Sequence, residues 1–458
     1  MNENPAEVLI DHALSLRWEA IPGAARERAS VFLHDSLAVG VAGRNAAHAD
    51  GVLEMAKGWG EGGAAGVLGR PGLRLPAASA AFVNAFQIHG QEYDCVHEPA
   101  VLHPMATVLA ALLAEAERGA PVSGEQFLTA IVAGVDVAVT LGIAAPDALR
   151  FFRPATAGIF GCVAAIASLR AMPRVMALDA FGHALALASG TMQAHVEGKP
   201  ALPVQVAGAA RSSLVAIDLA HAGMPGVEHP LDGPFGYFAL MEKREELGAA
   251  LARLQQGHRI TEVSWKPFPT GRAGHGGIVA VQRLIERGLI AGAPGAEGLE
   301  SLEYHAPPLI HRLVGRPAKA AMEPGYARLC LPFLAAVTLL RGTVSLGDFQ
   351  RETLDDPQIL ALAARIRVVA DDNPDLAAFV PARAVARTRD GREWTEDVAA
   401  QFGSPEWPLS GAEHLAKARA CLAFAGLEHL HEALAEAIAD MPGSADAVAL
   451  LRDAGVMG

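Results

Sequence analysis

Between His89 and Met105 the chain reads His-Gly-Gln-Glu-Tyr-Asp-Cys-Val-His-Glu-Pro-Ala-Val-Leu-His-Pro-Met, which sets three imidazoles, three carboxylates and one thiol within seventeen residues. Imidazoles exchange protons near neutral pH and carboxylates orient or charge them, so the spacing suits general acid–base chemistry. It also fits an ordinary polar surface turn, and the flanks bear on the choice. Ala77 to Ile88 before it and Ala106 to Ala116 after it are apolar and Ala-rich and read as buried helices. A loop clamped between two core helices has its side chains held while the surrounding protein limits water.

Four other segments carry groups of the same kind. In Phe151 to Gly161, Thr156 is placed to cap a helix whose free N–H groups face an anion, and Arg153 offers a planar fork to a carboxylate; a plain helix start reads the same way. Met192 to Ser212 holds His195 and Lys199 beside Gly198 and Pro200, either a loop presenting polar groups before a helix from Ala207 or simple surface. Ser264 to Gly277 brings Lys266, Arg272 and His275 into one Gly/Pro-rich turn, a set that clamps a polycarboxylate and moves a proton. Tyr326 and Arg328 begin an apolar helix and face a cleft, or only open the helix.

The elements that must hold these groups read as follows. From Pro5 to about Ala250 apolar residues recur at helical spacing, and runs such as Gly161-Cys-Val-Ala-Ala-Ile-Ala-Ser let helix axes approach closely. Near Glu262 the texture changes to short β-like runs: Ile260–Trp265, Gly298–His305, Ile366–Ala370, and Ala384–Thr388 joined through Asp390-Gly391 to Glu393–Thr395. Helices are expected between them at Gly276–Arg287, Ala327–Arg341 and Asp356–Ala364, and after Pro408 at Ala412–Ala425, Leu427–Met441 and Ala445–Ala454. The fold class is therefore mainly α with an inserted α+β domain. Residues 1–260 and 405–458 build the helical domain and 261–404 the smaller one.

With 458 residues, 51% hydrophobic and 19% charged, the chain buries a large core. A formal charge of −13 without a Lys/Arg run argues against nucleic acid as a partner. Cys95, Cys162, Cys330 and Cys421 stand far apart, in no metal or disulfide spacing, and fit reduced thiols in the cytoplasm. The start lacks a secretory pattern. The most apolar window, Phe127 to Pro146, carries Asp136 near its centre and reads as a core helix, so no membrane partner is expected.

In order and content these segments resemble the MmgE/PrpD family, which includes 2-methylcitrate dehydratase, cis-aconitate decarboxylase and iminodisuccinate epimerase. The resemblance rests on Asp35-Ser36-Leu37-Ala38-Val39-Gly40, the acidic loop ending in His103-Pro104, Pro154-Ala155-Thr156-Ala157-Gly158, Gly208-Ala209-Ala210-Arg211, Lys266-Pro267-Phe268-Pro269, Arg272 with His275, and Tyr326-Ala327-Arg328-Leu329-Cys330. It implies a large helical domain from both chain ends, an α+β lid, a cofactor-free active site, a homodimer, and a small di- or tricarboxylate substrate; no metal is expected, because His89, His97 and His103 have no recognised ligand spacing. His103 matches the family's His-Pro histidine, Lys266 and His275 the basic lid loop, and Glu92 and Asp94 the family's acids. Cys95-Val96 replaces the usual Asp-Thr, Arg153 stands where many members have His, and Gly271 stands where the decarboxylase has a second lid histidine. The family's Lys and His of the second segment fall at Leu202 and Gln205, with Lys199 and His195 close enough to compensate.

The expected protein is a cytoplasmic dehydratase acting on a 2-methylcitrate-like acid. His103 serves as general acid/base, Lys266 and Arg272 bind carboxylates, His275 shares proton transfer, and Glu92 or Asp94 orients His103. His97, Arg153, Thr156, Lys199, Tyr326 and Arg328 are further candidates for substrate contact. The rivals are an epimerase or isomerase, a decarboxylase, and a small-acid-binding relative without turnover.

Overall fold

The computed structural model describes residues 4–60, 62–146, 149–242, 245–288, 298–375 and 377–458. Helix follows helix through the first half, and the expected flanking helices form at Ala77–His89 and Pro104–Arg118. A small two-stranded hairpin, Ala65–Gly66 with Arg74–Leu75, interrupts them and had no clear signal in the sequence. The core helix Gly124–Ile143 starts from a capping box on Ser123 and Gln126 and crosses Gly158–Leu169 at glycines. A Cβ on Gly161 would come within 2.7 Å of Ala138 Cβ and of Gly134 O, so only glycine permits this approach. Gly124–Ile143 is long and apolar enough to cross a membrane by length and composition, but it lies mostly buried among the other helices.

The mixed sheet has Leu299–Ala306 at its centre, paired in parallel with Ile366–Ala370 and antiparallel with Ala382–Thr388, which pairs in turn with Glu393–Val398. The Asp390-Gly391 hairpin forms, with Gly391 at φ 87° where a side chain would be strained. Helix His275–Glu286 lies on this sheet so closely that a Cβ on Gly276 would meet the Tyr304 hydroxyl at 2.4 Å.

Three expectations change. Ile260–Trp265 is not a strand: Arg259–Glu262 forms a tight helical turn, and only Ser264 pairs, with Val96. Ala327–Arg341 breaks into Pro324–Arg328 and Leu331–Arg341, because Pro332 lacks an N–H and fits only a first turn. The helix expected from Ala207 begins at Ala201.

The last helices pack back on the first. Gly411–Phe424 lies along Gly23–Ala42, joined by Lys417 Nζ to Asp35 Oδ1 at 2.7 Å and His414 Nε2 to His34 Nδ1 at 2.8 Å. The same helix steadies the reactive loop from behind. Lys417 donates to the Tyr93 carbonyl at 2.9 Å, and Trp265 Nε1 donates to His414 Nδ1 at 3.3 Å. Tyr93 and Trp265 are the chain neighbours of Asp94 and Lys266.

Candidate active site

The loop from Gly90 to His103 leaves one helix at its C-terminus and enters the next as its N-cap residue. Its stretch from Gln91 to His97 is buried, and its backbone is pinned. Val96 and Ser264 exchange backbone hydrogen bonds of 3.0 and 2.8 Å, and His97 and Leu102 exchange bonds of 2.8 and 3.2 Å. Glu92 has φ 50° and Val101 φ 48°, conformations that non-glycine residues adopt at a cost, so the surroundings hold both in place.

Five ionisable groups meet on this loop. Asp94 Oδ2 lies 3.0 Å from His89 Nδ1 and 3.2 Å from His103 Nδ1, and the two imidazole rings stand edge to face at 4.9 Å. Lys266 Nζ sits 2.8 Å from Glu92 Oε2 and 3.8 Å from Asp94 Oδ1. His89 Nε2 is 3.6 Å from Glu92 Oε1. With Nδ1 of His103 turned to Asp94, its Nε2 is the nitrogen left for a substrate.

The charges push the two imidazoles apart. Burial and then the Lys266 ammonium lower the pKa of His103, against the pull of Asp94. Burial alone would lower His89 too, but Asp94 and Glu92 outweigh it and raise the value. Burial opposes ionisation of both acids; Lys266 and His89 nonetheless bring Glu92 down to about 2, and His103 and His89 hold Asp94 well below the carboxylate range. The result is an acidic pair held below its usual range between two imidazoles whose pKa values are pushed in opposite directions.

Two small adjoining lobes of space open on this cluster and share Glu92, Leu202 and Leu329 as walls. His89, Lys199 and Arg328 line the first, and His103, His195 and Arg272 the second.

The structure brings His103, Glu92, Asp94 and Lys266 together, with Arg328 and Lys199 on the cleft wall. Arg328 is buried and donates to Gln91 O at 2.9 Å, Pro269 O at 2.6 Å and Gln91 Oε1, all neutral acceptors, and burial holds it down to about 9. Its guanidinium has no carboxylate partner among the described residues, stacks over the Phe349 ring at 3.8 Å and borders the first lobe. Lys199 is exposed and has no ion-pair partner among them either.

The remaining candidates are used inside the protein. Arg272 borders the cleft but spends its guanidinium on Glu98 at 2.7 Å and on the carbonyls of Trp265 and Phe402. His275 lies behind it and off the cleft walls, with Nδ1 accepting from Arg272 at 3.3 Å and Nε2 donating to Thr270 O at 3.3 Å. Burial, Arg272 and Lys266 keep it neutral. His97 accepts from Ala100 N–H at 3.1 Å and donates to Glu262 at 3.0 Å, which locks the loop and turns the ring from the cleft. Thr156 caps nothing; it ends the short helix Arg153–Thr156, and its hydroxyl meets the Tyr237 phenol at 3.5 Å. Tyr326 donates to Pro317 O at 2.8 Å near the cleft mouth.

Arg153 forms a two-pronged pair with Glu242, Nε to Oε1 at 3.0 Å and Nη2 to Oε2 at 3.1 Å, and both side chains are buried. Arg153→Ala is therefore expected to lower stability by about 3–5 kcal/mol, the usual cost of orphaning one member of a buried pair, with KM unchanged in the folded enzyme. Denaturant melts and steady-state kinetics check this. A raised KM at full stability would instead put Arg153 on the substrate.

Two residues named in the sequence without an assigned role, His89 and His195, stand at the site in the structure. His89 opens the reactive run, but its place at the end of an apolar helix hid its convergence with His103. His195 sits in the cleft wall near Arg316, whose Nη2 lies 3.4 Å from its Nδ1, and burial with that guanidinium brings it to about 4. The departures have structural counterparts. A Cβ on Gly271 would meet Leu329 Cδ2 at 2.5 Å, Cys95 is fully buried, and Leu202 fills the boundary between the lobes.

Residues 7–250 match the MmgE/PrpD N-terminal domain and residues 268–441 the MmgE/PrpD C-terminal domain. The chain is 27% identical to the cis-aconitate decarboxylase of Mus musculus over 414 residues, 86% of this chain and 81% of that protein. It is 26% identical to the Homo sapiens enzyme over 369 residues, 77% and 74% of the two chains. It is also 26% identical to the cis-aconitate decarboxylase-like protein oryM of Aspergillus oryzae over 438 residues, 90% and 89%. With both halves matched, the chain belongs to the MmgE/PrpD family.

Proposed function

We propose that the protein is a lyase that removes water from a small hydroxylated di- or tricarboxylate without a cofactor. The observation that carries this reading is the pair of imidazoles held 3.0 and 3.2 Å from one buried carboxylate oxygen of Asp94, whose surroundings push their pKa values in opposite directions. Loss of water next to a carboxylate needs a base for the C–H proton and an acid for the leaving hydroxyl. His103 Nε2 takes the proton, His89 delivers one to the hydroxyl, a carbon–carbon double bond forms, and water leaves. Substrate carboxylates face Arg328 and Lys199, while Lys266 balances the acids that charge the two rings. His195, neutral at pH 7, offers an N–H donor from the second lobe.

Decarboxylation is the second reading, favoured by the names of the relatives. It needs a proton donor for the carbanion but no base for a C–H bond. Incubation with citrate, 2-methylcitrate, malate and cis-aconitate separates the two: an unsaturated acid without CO₂ supports dehydration, and CO₂ from cis-aconitate supports its rival. The same reading makes residues 261–404 a lid and the protein a cytoplasmic homodimer, the latter tested by native mass.

Lys199 stands at the mouth near Lys319, and both border one surface hollow. Lys199→Gln is expected to raise KM about two- to fivefold, roughly the worth of a solvated ion contact, with kcat held. The salt dependence of kcat/KM should flatten with it, and unchanged KM at low ionic strength would remove Lys199 from substrate capture.

A further inference from the structure

Away from the cleft, three side chains from distant parts of the chain converge. His12 comes from the first helix, Pro5–Ser15, Asp136 from the middle of the core helix, and His258 from the segment before the turn Arg259–Glu262. Asp136 Oδ2 lies 2.9 Å from His12 Nε2 and 2.7 Å from His258 Nδ1, and the three atoms are mutually within 4.8 Å. Its other oxygen accepts from the Arg259 backbone N–H at 2.7 Å.

Asp136 is wholly buried, yet no Lys or Arg side chain pairs with it among the described residues. A buried carboxylate in that position needs positive charge from its imidazoles or from an ion. The imidazole side chains are 10% and 11% exposed, so the group keeps a small contact with solvent.

We propose that His12, Asp136 and His258 bind a divalent transition-metal ion of the zinc class, with water as the fourth ligand. Two imidazoles and one carboxylate are borderline donors that suit Zn²⁺, Co²⁺ or Ni²⁺ and are too few in oxygen for Ca²⁺. Tetrahedral bonds of about 2.0–2.1 Å set ligand atoms about 3.3 Å apart, so the trio opens by roughly half an ångström to admit the ion. The Arg259 N–H already fixes the carboxylate plane, the outer support such ligands ordinarily have.

The site has a structural consequence. It joins the first helix and the core helix to the turn that precedes Lys266, and Glu262 of that turn holds Arg259 at 2.5 Å and His97 at 3.0 Å. The ion braces both segments that carry the reactive groups.

The test is titration of chelator-stripped full-length protein with Zn²⁺ and Co²⁺, read by calorimetry, the Co²⁺ visible spectrum and thermal melts. One equivalent with a tetrahedral Co²⁺ band and a Tm raised by a few degrees is expected, weakened at least tenfold in His12→Gln and in His258→Gln. No stoichiometric binding overturns the proposal. So does binding that survives both variants but is lost in His103→Gln, which would put the ion on His89, Asp94 and His103 instead.

Discussion

Lys266→Met is expected to lose turnover by at least about a hundredfold and stability by about 3–5 kcal/mol. The ammonium is fully enclosed, 2.8 Å from Glu92 and 3.8 Å from Asp94, so its removal strands two buried carboxylates beside each other. Their mutual repulsion raises both acids and, through Asp94, releases the charge control on His89 and His103. A second change, Glu92→Gln in the Lys266→Met background, removes one orphan charge and is expected to restore part of the stability but none of the activity. Denaturant unfolding and single-turnover assays well below the melting midpoint read the two losses separately. A Lys266→Met protein as stable as the parent would contradict the charge balance described for the cluster.

His103→Gln is expected to leave the fold intact and lower kcat/KM by about 10²–10⁴, the usual contribution of a positioned general base. The pH profile carries more information. His103 works as the neutral form, which is populated above its pKa; that pKa is lowered from 6.5, so the rising limb lies below pH 6.5. His89 works as the protonated form, which is lost above its pKa; that pKa is raised from 6.5, so the falling limb lies above pH 6.5. The profile is a bell around neutrality, and because the two rings share Asp94 its limbs belong to the pair. His103→Gln removes the lower limb and His89→Gln the upper one. A single sigmoid in the parent enzyme would sink the division of labour between the rings.

Much of this was legible in the sequence because it depends on local pattern. Ala-rich apolar stripes, the Asp-Gly hairpin and the acidic loop before His103-Pro104 all announce themselves within a few residues. What stayed hidden depends on contacts between distant segments. His97 and His103 look alike in the run, yet one is spent on Glu262, 165 positions away, and the other faces the cleft. Arg153 and Arg328 both read as cations at helix starts, although Arg328 in fact ends Pro324–Arg328, and only packing gives the first a carboxylate and the second neutral oxygens. Lysine usage was a missed signal. The chain has only six lysines among its 37 basic Lys and Arg residues, and Lys199, Lys266, Lys319 and Lys417 stand in the cleft, at its mouth or directly behind it. Where arginine supplies nearly all other positive charge, a lysine marks a place that wants a compact ammonium.

The central claim is that His103 removes a proton from carbon next to a carboxylate. It is tested most directly by a proton NMR time course in D₂O of the parent and His103→Gln proteins with citrate, 2-methylcitrate, malate and cis-aconitate. The account predicts that one hydroxy acid loses its methylene signal and gains a vinylic proton with the parent, while the variant leaves it unchanged. Conversion by His103→Gln at the parent's rate would contradict it.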